Sequence, residues 1–218
     1  MYYAHLIGTA ERFPVGKIVC IGRNYSEHIK ELGNATPDQP VIFIKPSSSI
    51  LPDGGTVIIP EYSNDCHHEV ELALIIGKTG KNISAEAAMA HVAGFGVAID
   101  LTLRDTQSQQ KEKGLPWEIA KGFDSACPLS DFVPTEQISD PHNLQLTLIV
   151  NDDIRQDGNT ALMMRKIPQI IEEMSSIFTL EAGDVILTGT PAGVSRIQSG
   201  DVMVAEIEQV GRIKVNVK

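Results

Sequence analysis

Short hydrophobic runs alternate with turn-forming residues along most of the chain, a pattern typical of proteins built mainly from β-strands. The runs predict strands at residues 17–22, 41–45, 56–60, 69–77, 96–101, 144–150, 184–189, 202–208 and 212–217. Helical spacing is confined to residues 24–33, 84–91, 102–113 and 160–177. The strands lie too close together, and the helices are too few, for a doubly wound α/β sheet. We therefore predict a β-rich sandwich, roll or barrel with helices packed outside.

The last helical segment has a single apolar stripe, which we interpret as a face packed on the core rather than as a binding groove. Its members are Leu162, Met163, Ile167, Ile170, Ile171, Met174 and Phe178. No linker rich in proline, glycine or serine separates two folding units, so we predict one domain over residues 1–218.

The composition argues against two classes of partner. With 18 basic and 28 acidic residues the net charge is −10, which disfavours a nucleic-acid backbone and an anionic membrane surface. No apolar run approaches the ~20 residues that cross a bilayer, and the first residues do not resemble a signal peptide. We expect a cytoplasmic protein that acts on small molecules. Three widely spaced cysteines predict buried reduced thiols rather than disulfides or a zinc finger.

The stretch HHEVELALIIG at residues 67–77 places two glutamates in a run otherwise suited to a sheet interior. Alternate residues of a strand face the same side, so Glu69 and Glu71 project together. Two carboxylates about 4 Å apart repel by a few kcal/mol at an effective dielectric constant of roughly 20, so a cation between them is expected. Asp100 ends another strand-like run, and the three acids would suit Mg²⁺ or Mn²⁺ with waters completing the shell.

Two alternatives to this metal site remain open from the spacing alone. Glu69 and Glu71 would face solvent on a half-exposed sheet if Asp100 served only as a helix N-cap. Zinc is the other alternative, because His67 and His68 precede the glutamates. Adjacent strand residues point to opposite faces, so at most one histidine could join the glutamates, and zinc ranks lower.

Other segments hold candidate catalytic and binding residues. His28 and Glu31 are spaced i, i+3, so a carboxylate could orient an imidazole that activates water; a surface contact of a few tenths of a kcal/mol is the alternative. Cations that could hold an anionic substrate are Arg23, Lys45 and Lys121. The segment ILTGTPAGV at 186–194 offers Thr188, Thr190 and glycine amides to a carboxylate, or is simply a tight connection that needs its glycines.

Six segments resemble blocks of the fumarylacetoacetate hydrolase superfamily, in its short branch of acylpyruvases and oxaloacetate decarboxylases or tautomerases. They are CIGRNYSEHIKELG, PVIFIKPSSS, HHEVELALIIG, GVAIDLTLRDTQ, GLPWEIAKGFDSACPLS and GDVILTGTPAGV. The most specific feature is E-x-E followed about thirty residues later by DLTLRD. The resemblance implies an α+β, β-rich fold, a mixed β-sandwich roll with peripheral helices, and a homodimer.

The resemblance also implies roles for particular residues. The implied metal ligands for Mg²⁺ or Mn²⁺ are Glu69, Glu71 and Asp100. The implied catalytic residues are His28, Glu31 and Lys121. The implied substrate contacts are Arg23, Lys45, Gln107 and Thr190. One departure is that Ser195 and Arg196 follow TPAGV, where the family commonly continues Gly-Pro, and this makes substrate choice less certain.

We therefore predict a Mg²⁺- or Mn²⁺-dependent enzyme acting on β-dicarbonyl 2-oxo acids. The reaction would be C–C hydrolysis of an acylpyruvate such as fumarylpyruvate or acetylpyruvate, or decarboxylation or keto–enol tautomerisation of oxaloacetate. One alternative is an isomerase or decarboxylase of an aromatic ring-cleavage pathway, of the 2-hydroxyhepta-2,4-diene-1,7-dioate type. Another is a non-catalytic binding scaffold stabilised by metal.

Overall fold

The computed structural model describes residues 2–33, 35 and 37–218. Its strands are β1 (Tyr3–His5), β2 (Arg12–Pro14), β3 (Lys17–Gly22), β4 (Val41–Pro46), β5 (Ile50–Pro52), β6 (Thr56–Val57), β7 (Cys66–His67), β8 (Val70–Ile76), β9 (Val92–Ile99), β10 (Thr102–Leu103), β11 (Cys127–Leu129), β12 (Val133–Pro134), β13 (Gln145–Val150), β14 (Asp153–Asn159), β15 (Val185–Leu187), β16 (Arg196–Ile197), β17 (Val202–Ile207) and β18 (Gly211–Val217). Its α-helices are α1 (Ser26–Glu31), α2 (Ala85–Ala88), α3 (Arg104–Glu112), α4 (Glu118–Lys121) and α5 (Ile167–Ile177). Short 3₁₀ turns lie at Ser47–Ser49, Met89–His91, Thr135–Gln137 and Thr160–Leu162.

Two large sheets form the body of the fold. The larger has the order β4-β3-β15-β8-β9-β11-β5, with β12 also paired to β9. The second has the order β14-β13-β17-β18-β6. Small sheets with the orders β1-β2 and β10-β7-β16 complete the described strands. The strand pairs β15–β3, β11–β5 and β18–β6 are parallel and the others antiparallel, which confirms the predicted α+β, β-rich mixed sandwich roll.

Strand β8 separates two hydrophobic cores because its alternate residues point to opposite faces. Leu72 and Leu74 belong to the main core, where β8 and β9 pack against β13, β17 and β18. Ala73 and Ile75 belong to a second core on the other face of the same sheet. Complete burial of each large side chain contributes about 2 kcal/mol. Glu71 lies on the face of Ala73, so the acidic residues extend the second face toward the end of the strand.

Helix α5 covers one side of the main core. Its apolar stripe is buried over the helix proper, as predicted, whereas Leu162 is 60% exposed and lies in the 3₁₀ turn before the helix. The prediction of one helix over 160–177 is therefore wrong for the first seven positions. The observed helix begins at Ile167, and Pro168 lies in its first turn, where a missing amide costs no helical hydrogen bond.

Each of the nine predicted strands corresponds to an observed strand. The prediction missed eight strands of two or three residues and helix α4, because these segments contain too few residues to establish a period. It also missed the seven-residue strand β14, whose sequence DIRQDGN is mostly polar and gives no hydrophobic alternation. Thr102 and Leu103, predicted to begin a helix, instead form β10. The three cysteines are free and buried, as predicted, and burial raises the pKa of the Cys66 and Cys127 thiols to about 12. Among the described residues, no helix combines the length and apolar character that a bilayer span requires.

Candidate active site

Three carboxylates converge where the ends of β8 and β9 meet. Glu69 directly precedes β8 and Asp100 directly follows β9, and the Asp100 amide donates a 2.7 Å hydrogen bond to the Glu69 carbonyl oxygen. One ligand oxygen from each of Glu69, Glu71 and Asp100 lies within 4.8 Å of the other two. Their exposed fractions are 5%, 2% and 1%. The solvent-facing alternative is therefore wrong, and Asp100 caps no helix because α3 begins at Arg104.

Three cations surround these acids. Lys121 Nζ donates to Glu69 Oε2 at 2.9 Å and to Asp100 Oδ2 at 2.8 Å. Arg104 Nη2 donates to the other oxygen of Glu69. Lys45 Nζ lies 2.8 Å from Asp100 Oδ1. Because buried charges must be paired to be tolerated, these contacts offset the cost of burying the Glu69 and Asp100 side chains.

The pKa values differ sharply among neighbouring acids. Burial acts to raise the pKa of Glu69, but Lys121 and Arg104 outweigh it and hold that pKa well below the ordinary range. Burial raises the pKa of Glu71 well above its usual value, and the carboxylates of Asp100 and Glu69 raise it further. A cation near all three acids would relieve this repulsion. Three hard oxygen donors in a buried cluster therefore fit a small divalent ion.

The TGTPAG loop supplies backbone amides to carboxylates of the protein itself. The Gly189 amide donates to Glu71 Oε2 at 2.6 Å, and the Gly193 amide donates to Glu31 Oε1 at 3.0 Å. Thr190 Oγ1 donates to the Val70 carbonyl oxygen at 2.8 Å. The loop also needs its glycines for backbone reasons, since Gly189 and Gly193 have φ values of +93° and +100°. The need for glycines is thus confirmed, whereas the glycine amides bind the protein's own Glu71 and Glu31, and binding of a substrate carboxylate by this segment stays a prediction.

His28 and Glu31 lie together on α1, with His28 Nδ1 3.5 Å from Glu31 Oε2. His28 is only 6% exposed. Burial lowers the pKa of His28, although Glu69 acts in the opposite direction. A neutral imidazole is the form that can accept a proton, so this environment suits a general base.

These groups line one cavity of about 450 Å³, including its open mouth. Of the predicted site residues, those in its lining are Arg23, His28, Glu69, Glu71, Asp100, Gln107, Lys121 and Thr190. Glu31 lies behind His28. Lys45 is fully buried and absent from the lining, and its Nζ also donates to the carbonyl oxygens of Leu101, Lys121 and Ala126. Lys45 therefore supports Asp100 from behind, which a strand-end position in the sequence could not reveal.

The chain matches the family described as fumarylacetoacetate (FAA) hydrolase C-terminal over residues 17–218. The chain belongs to this family. It is 51% identical over 190 residues to the oxaloacetate tautomerase YcgM of Escherichia coli strain K12, which covers 87% of each chain. It is 49% identical over 201 residues to the mitochondrial oxaloacetate tautomerase FAHD1 of Bos taurus, covering 92% of this chain and 91% of the relative.

A solved structure of another family member is similar across the whole fold. Fumarylpyruvate hydrolase from Pseudomonas aeruginosa, crystallised with Mn²⁺ and pyruvate, superposes with a TM-score of 0.95. The identity is 32%, and the alignment covers 99% of this chain and 95% of that one.

Family blocks quoted in the sequence contain further site residues that sequence reasoning did not single out. Arg104, in DLTLRD, binds Glu69 and also donates from Nη1 to Gln107 Oε1 at 2.8 Å. Thr102 accepts from Lys121 Nζ at 2.6 Å. The signal for both was their position two and four residues after Asp100, close to the end of strand β9.

The departure from the family's usual Gly-Pro after TPAGV has a specific structural role. Ser195 Oγ lies 2.9 Å from His68 Nε2, and the other ring nitrogen of His68 lies 2.9 Å from Gln156 Oε1. Gln156 Nε2 then donates to Thr190 Oγ1 at 2.8 Å in the cavity wall. His67 instead binds Asp65 at 2.9 Å. Among residues the structure describes, the metal-competent cluster includes neither histidine, so the zinc alternative has no support.

Proposed function

We propose that this protein is a divalent-metal-dependent enzyme of β-dicarbonyl 2-oxo acids, and that its principal reaction is the enol–keto conversion of oxaloacetate. The observation that carries the proposal is the convergence of Glu69, Glu71 and Asp100 with His28 in one cavity. The two tautomerase relatives, about half identical over most of their length, support the same substrate.

We assign the metal position to the three carboxylates, with Mg²⁺ or Mn²⁺ as the ion. Mn²⁺ is favoured by its presence in the related fumarylpyruvate hydrolase structure. When bound there, a divalent ion supplies Lewis acidity that stabilises negative charge on the oxygens of a 2-oxo acid. Glu71 benefits most from the ion, because its carboxylate is buried beside two other acids.

His28 moves the proton in this proposal. Its Nδ1 faces Glu31, which leaves Nε2 as the nitrogen that exchanges protons with a ligand. For enol–keto conversion, the imidazole accepts the proton of the enol hydroxyl and a proton is returned to C3. Glu31 orients the ring and stabilises its positive charge after proton transfer. Arg23, Gln107, Lys121 and Thr190 line the cavity where they can hold the oxygens of the acid.

Hydrolysis of acylpyruvates is a second candidate reaction, favoured by the buried His28–Glu31 pair and by similarity to the fumarylpyruvate hydrolase structure. His28 would take a proton from water as the water oxygen bonds to the distal carbonyl carbon. The bond from that carbon to C3 then breaks, C3 receives a proton, and pyruvate and a carboxylic acid are released. Loss of CO₂ from oxaloacetate breaks the equivalent bond without water.

An ultraviolet assay of the enol form of oxaloacetate tests the principal reaction. We expect conversion above the spontaneous rate with Mn²⁺ or Mg²⁺, abolition by a chelator, and a loss of about 100-fold or more in His28→Ala. Glu206→Gln, at an exposed position of strand β17 that does not line the cavity, is the control and should retain full activity. Metal-dependent turnover of acetylpyruvate and fumarylpyruvate under the same conditions tests the hydrolase. The absence of turnover of all three acids, with or without metal, would contradict the proposal and favour the non-catalytic binding scaffold.

We also propose that the protein is a cytoplasmic homodimer. Exposed apolar side chains near α4, including Tyr62 and Ile119, support a contact between copies, and the Tyr62 hydroxyl donates to the Ile119 carbonyl oxygen at 3.1 Å. Light scattering that gives the mass of one chain would contradict the dimer. The location stays a prediction.

A further inference from the structure

Val70 lies between two of the proposed metal ligands, Glu69 and Glu71, at the point where one edge of strand β8 loses its partner. On the other edge β9 continues alongside, with Ile99 opposite Val70. The pairing of β8 with β15 ends at Ala73. Among the strands that the structure describes, β9 alone is therefore paired with Val70. The buried backbone groups on the edge away from β9 need other hydrogen-bonding partners.

Two side chains supply these partners. Gln156 Oε1 accepts a 3.0 Å hydrogen bond from the Val70 amide, and Thr190 Oγ1 donates a 2.8 Å hydrogen bond to the Val70 carbonyl oxygen. The amide belongs to the peptide group that joins Glu69 to Val70, and the carbonyl belongs to the one that joins Val70 to Glu71. Gln156 and Thr190 thus hold both peptide groups that link the two acids.

Gln156 also fixes the loop that binds the Glu71 carboxylate. Its Nε2 donates to Thr190 Oγ1 at 2.8 Å and to the Pro191 carbonyl oxygen at 3.0 Å. Directly before these two residues, the Gly189 amide donates to Glu71 Oε2 at 2.6 Å. One side chain therefore contacts both the backbone between the two glutamates and the loop that orients one of their carboxylates.

The orientation of the Gln156 amide is itself determined by its neighbours. A carbonyl oxygen only accepts hydrogen bonds, so His68 Nδ1, 2.9 Å from Gln156 Oε1, carries the ring proton. Burial lowers the pKa of His68 to about 4, so the ring is neutral near pH 7 and its Nε2 accepts from Ser195 Oγ at 2.9 Å. A flipped Gln156 amide would place its NH₂ group against the Val70 amide, so one orientation is allowed.

We propose that Gln156 is a positioning residue of the metal site. Through Val70 and Thr190, it holds the two glutamates in the arrangement that binds a divalent ion. Charged carboxylates within 4.8 Å of one another repel, so acids on a freer backbone would move apart when no ion is bound. Ligands that are held in place beforehand bind more tightly, because less conformational freedom is lost on binding. The inference rests on the proposed function, since it requires Glu69 and Glu71 to bind the metal.

Calorimetry of Mn²⁺ binding tests this role without any substrate. Gln156→Met removes the hydrogen bonds but retains most of the side-chain volume. It should bind Mn²⁺ about tenfold more weakly or worse, the scale seen when a group that supports metal ligands is lost. The electron paramagnetic resonance spectrum of bound Mn²⁺ should broaden, because the carboxylates no longer adopt a single arrangement.

Ser175→Ala is the matched control. The fully buried Ser175 hydroxyl accepts from the Ile83 amide at 2.9 Å, a bond of the same kind between residues that do not line the cavity. This variant should lower the free energy of unfolding, yet leave the Mn²⁺ affinity and the spectrum of bound Mn²⁺ unchanged.

A second pair of variants decides the case if Gln156→Met does not fold. Thr190→Val removes the hydrogen bond to the Val70 carbonyl oxygen and should weaken Mn²⁺ binding, whereas Thr190→Ser keeps the hydroxyl and should retain the affinity. Unchanged Mn²⁺ affinity in folded Gln156→Met or in Thr190→Val, or an equal loss in Ser175→Ala, would overturn the positioning role and leave the proposed function intact. Failure of the wild-type protein to bind Mn²⁺ would instead count against the proposed function and remove the basis of the inference.

Discussion

The Gly193 amide donates a 3.0 Å hydrogen bond to Glu31 Oε1, which joins the loop after β15 to helix α1. The other oxygen of that carboxylate faces His28 Nδ1. A Cβ atom at Gly193 would lie 2.1 Å from the Arg155 carbonyl oxygen, so no larger residue fits. Glu31 is therefore held from two sides, and His28 is oriented by a carboxylate that cannot move freely.

The first prediction separates proton transfer from metal binding. His28→Ala should retain Mn²⁺ affinity, because no nitrogen of His28 belongs to the acidic cluster, yet lose about 100-fold or more in kcat. Glu69→Ala should lose both. Calorimetry with Mn²⁺ and the oxaloacetate assay measure the two properties. Loss of Mn²⁺ binding in His28→Ala would contradict these roles.

The second prediction concerns the buried cation behind Asp100. Lys45→Met should lower the free energy of unfolding by about 3–5 kcal/mol, because it leaves a buried carboxylate without one of its partners. Added Mn²⁺ should recover part of the loss by supplying positive charge on the other side of Asp100. Urea unfolding with and without Mn²⁺ measures both effects. Lys30→Met is the control and should unfold like the wild type, since Lys30 pairs with Glu27 on the surface. A stable Lys45→Met variant would show that Asp100 does not depend on this cation.

The third prediction concerns Gln156, which is fully buried and joins four groups. Its Oε1 accepts from the Val70 amide at 3.0 Å, and its Nε2 donates to the Pro191 carbonyl oxygen at 3.0 Å, besides the contacts to His68 and Thr190. Gln156→Leu should cost about 2–4 kcal/mol, since each unsatisfied buried group costs about 1–3 kcal/mol. Chemical denaturation checks this value.

A matched control for that change is Gln198→Leu, at an exposed position. It should leave the free energy of unfolding nearly unchanged. Ser195→Ala tests the outer end of the same network and should cost less than Gln156→Leu, because only the contact to His68 is lost. If Gln156→Leu and the wild type had equal free energies of unfolding, the hydrogen bonds of Gln156 would not stabilise the fold.

The fourth prediction is a pH dependence at the start of α5. The Ile167 amide donates to His142 Nε2 at 3.2 Å, which requires an unprotonated nitrogen. Burial lowers the pKa of His142, although Asp140 acts in the opposite direction. The unfolded chain has a histidine pKa of about 6.5, so it binds more protons than the folded state as the pH falls below that value. The free energy of unfolding should therefore decrease from pH 7 toward pH 5.

Urea unfolding across this pH range, compared between the wild type and His142→Gln, isolates the contribution of one ring. The variant should show a shallower loss of stability on acidification. Nuclear magnetic resonance titration of the His142 ring should give a pKa below 6.5. A ring that titrates at or above that value would contradict the predicted direction.

The sequence was sufficient to locate the acids because their signal is local. A period of two puts Glu69 and Glu71 on one face, and a strand end positions Asp100. The pairing of β8 with β9 then brings the two segments together, with Val70 opposite Ile99. Likewise, the i, i+3 spacing of His28 and Glu31 was enough to predict their proximity.

What the sequence could not establish depends on contacts between distant segments. Lys45 stands at the end of a strand, but only the fold places it behind Asp100, 55 positions later, and beneath α4. The partnership of Ser195 with His68 requires β16 to pair with β7. Leu162 fits the helical period, yet the chain forms a 3₁₀ turn there and leaves the side chain in water. Periodicity predicts which residues share a face of a strand or helix, whereas tertiary packing determines which residues of distant segments come into contact.

Strand β8 carries residues of both hydrophobic cores on its two faces, includes Glu71, and is directly preceded by Glu69. A shift of one residue in its pairing would exchange the two faces, so Glu71 would enter the main core and Leu72 would point to the cavity. Burying a carboxylate among apolar side chains is far more costly than losing one aliphatic contact. The buried acids therefore destabilise sheets in which β8 pairs in a shifted register. The residues that the cavity requires thus also favour correct strand alignment during folding.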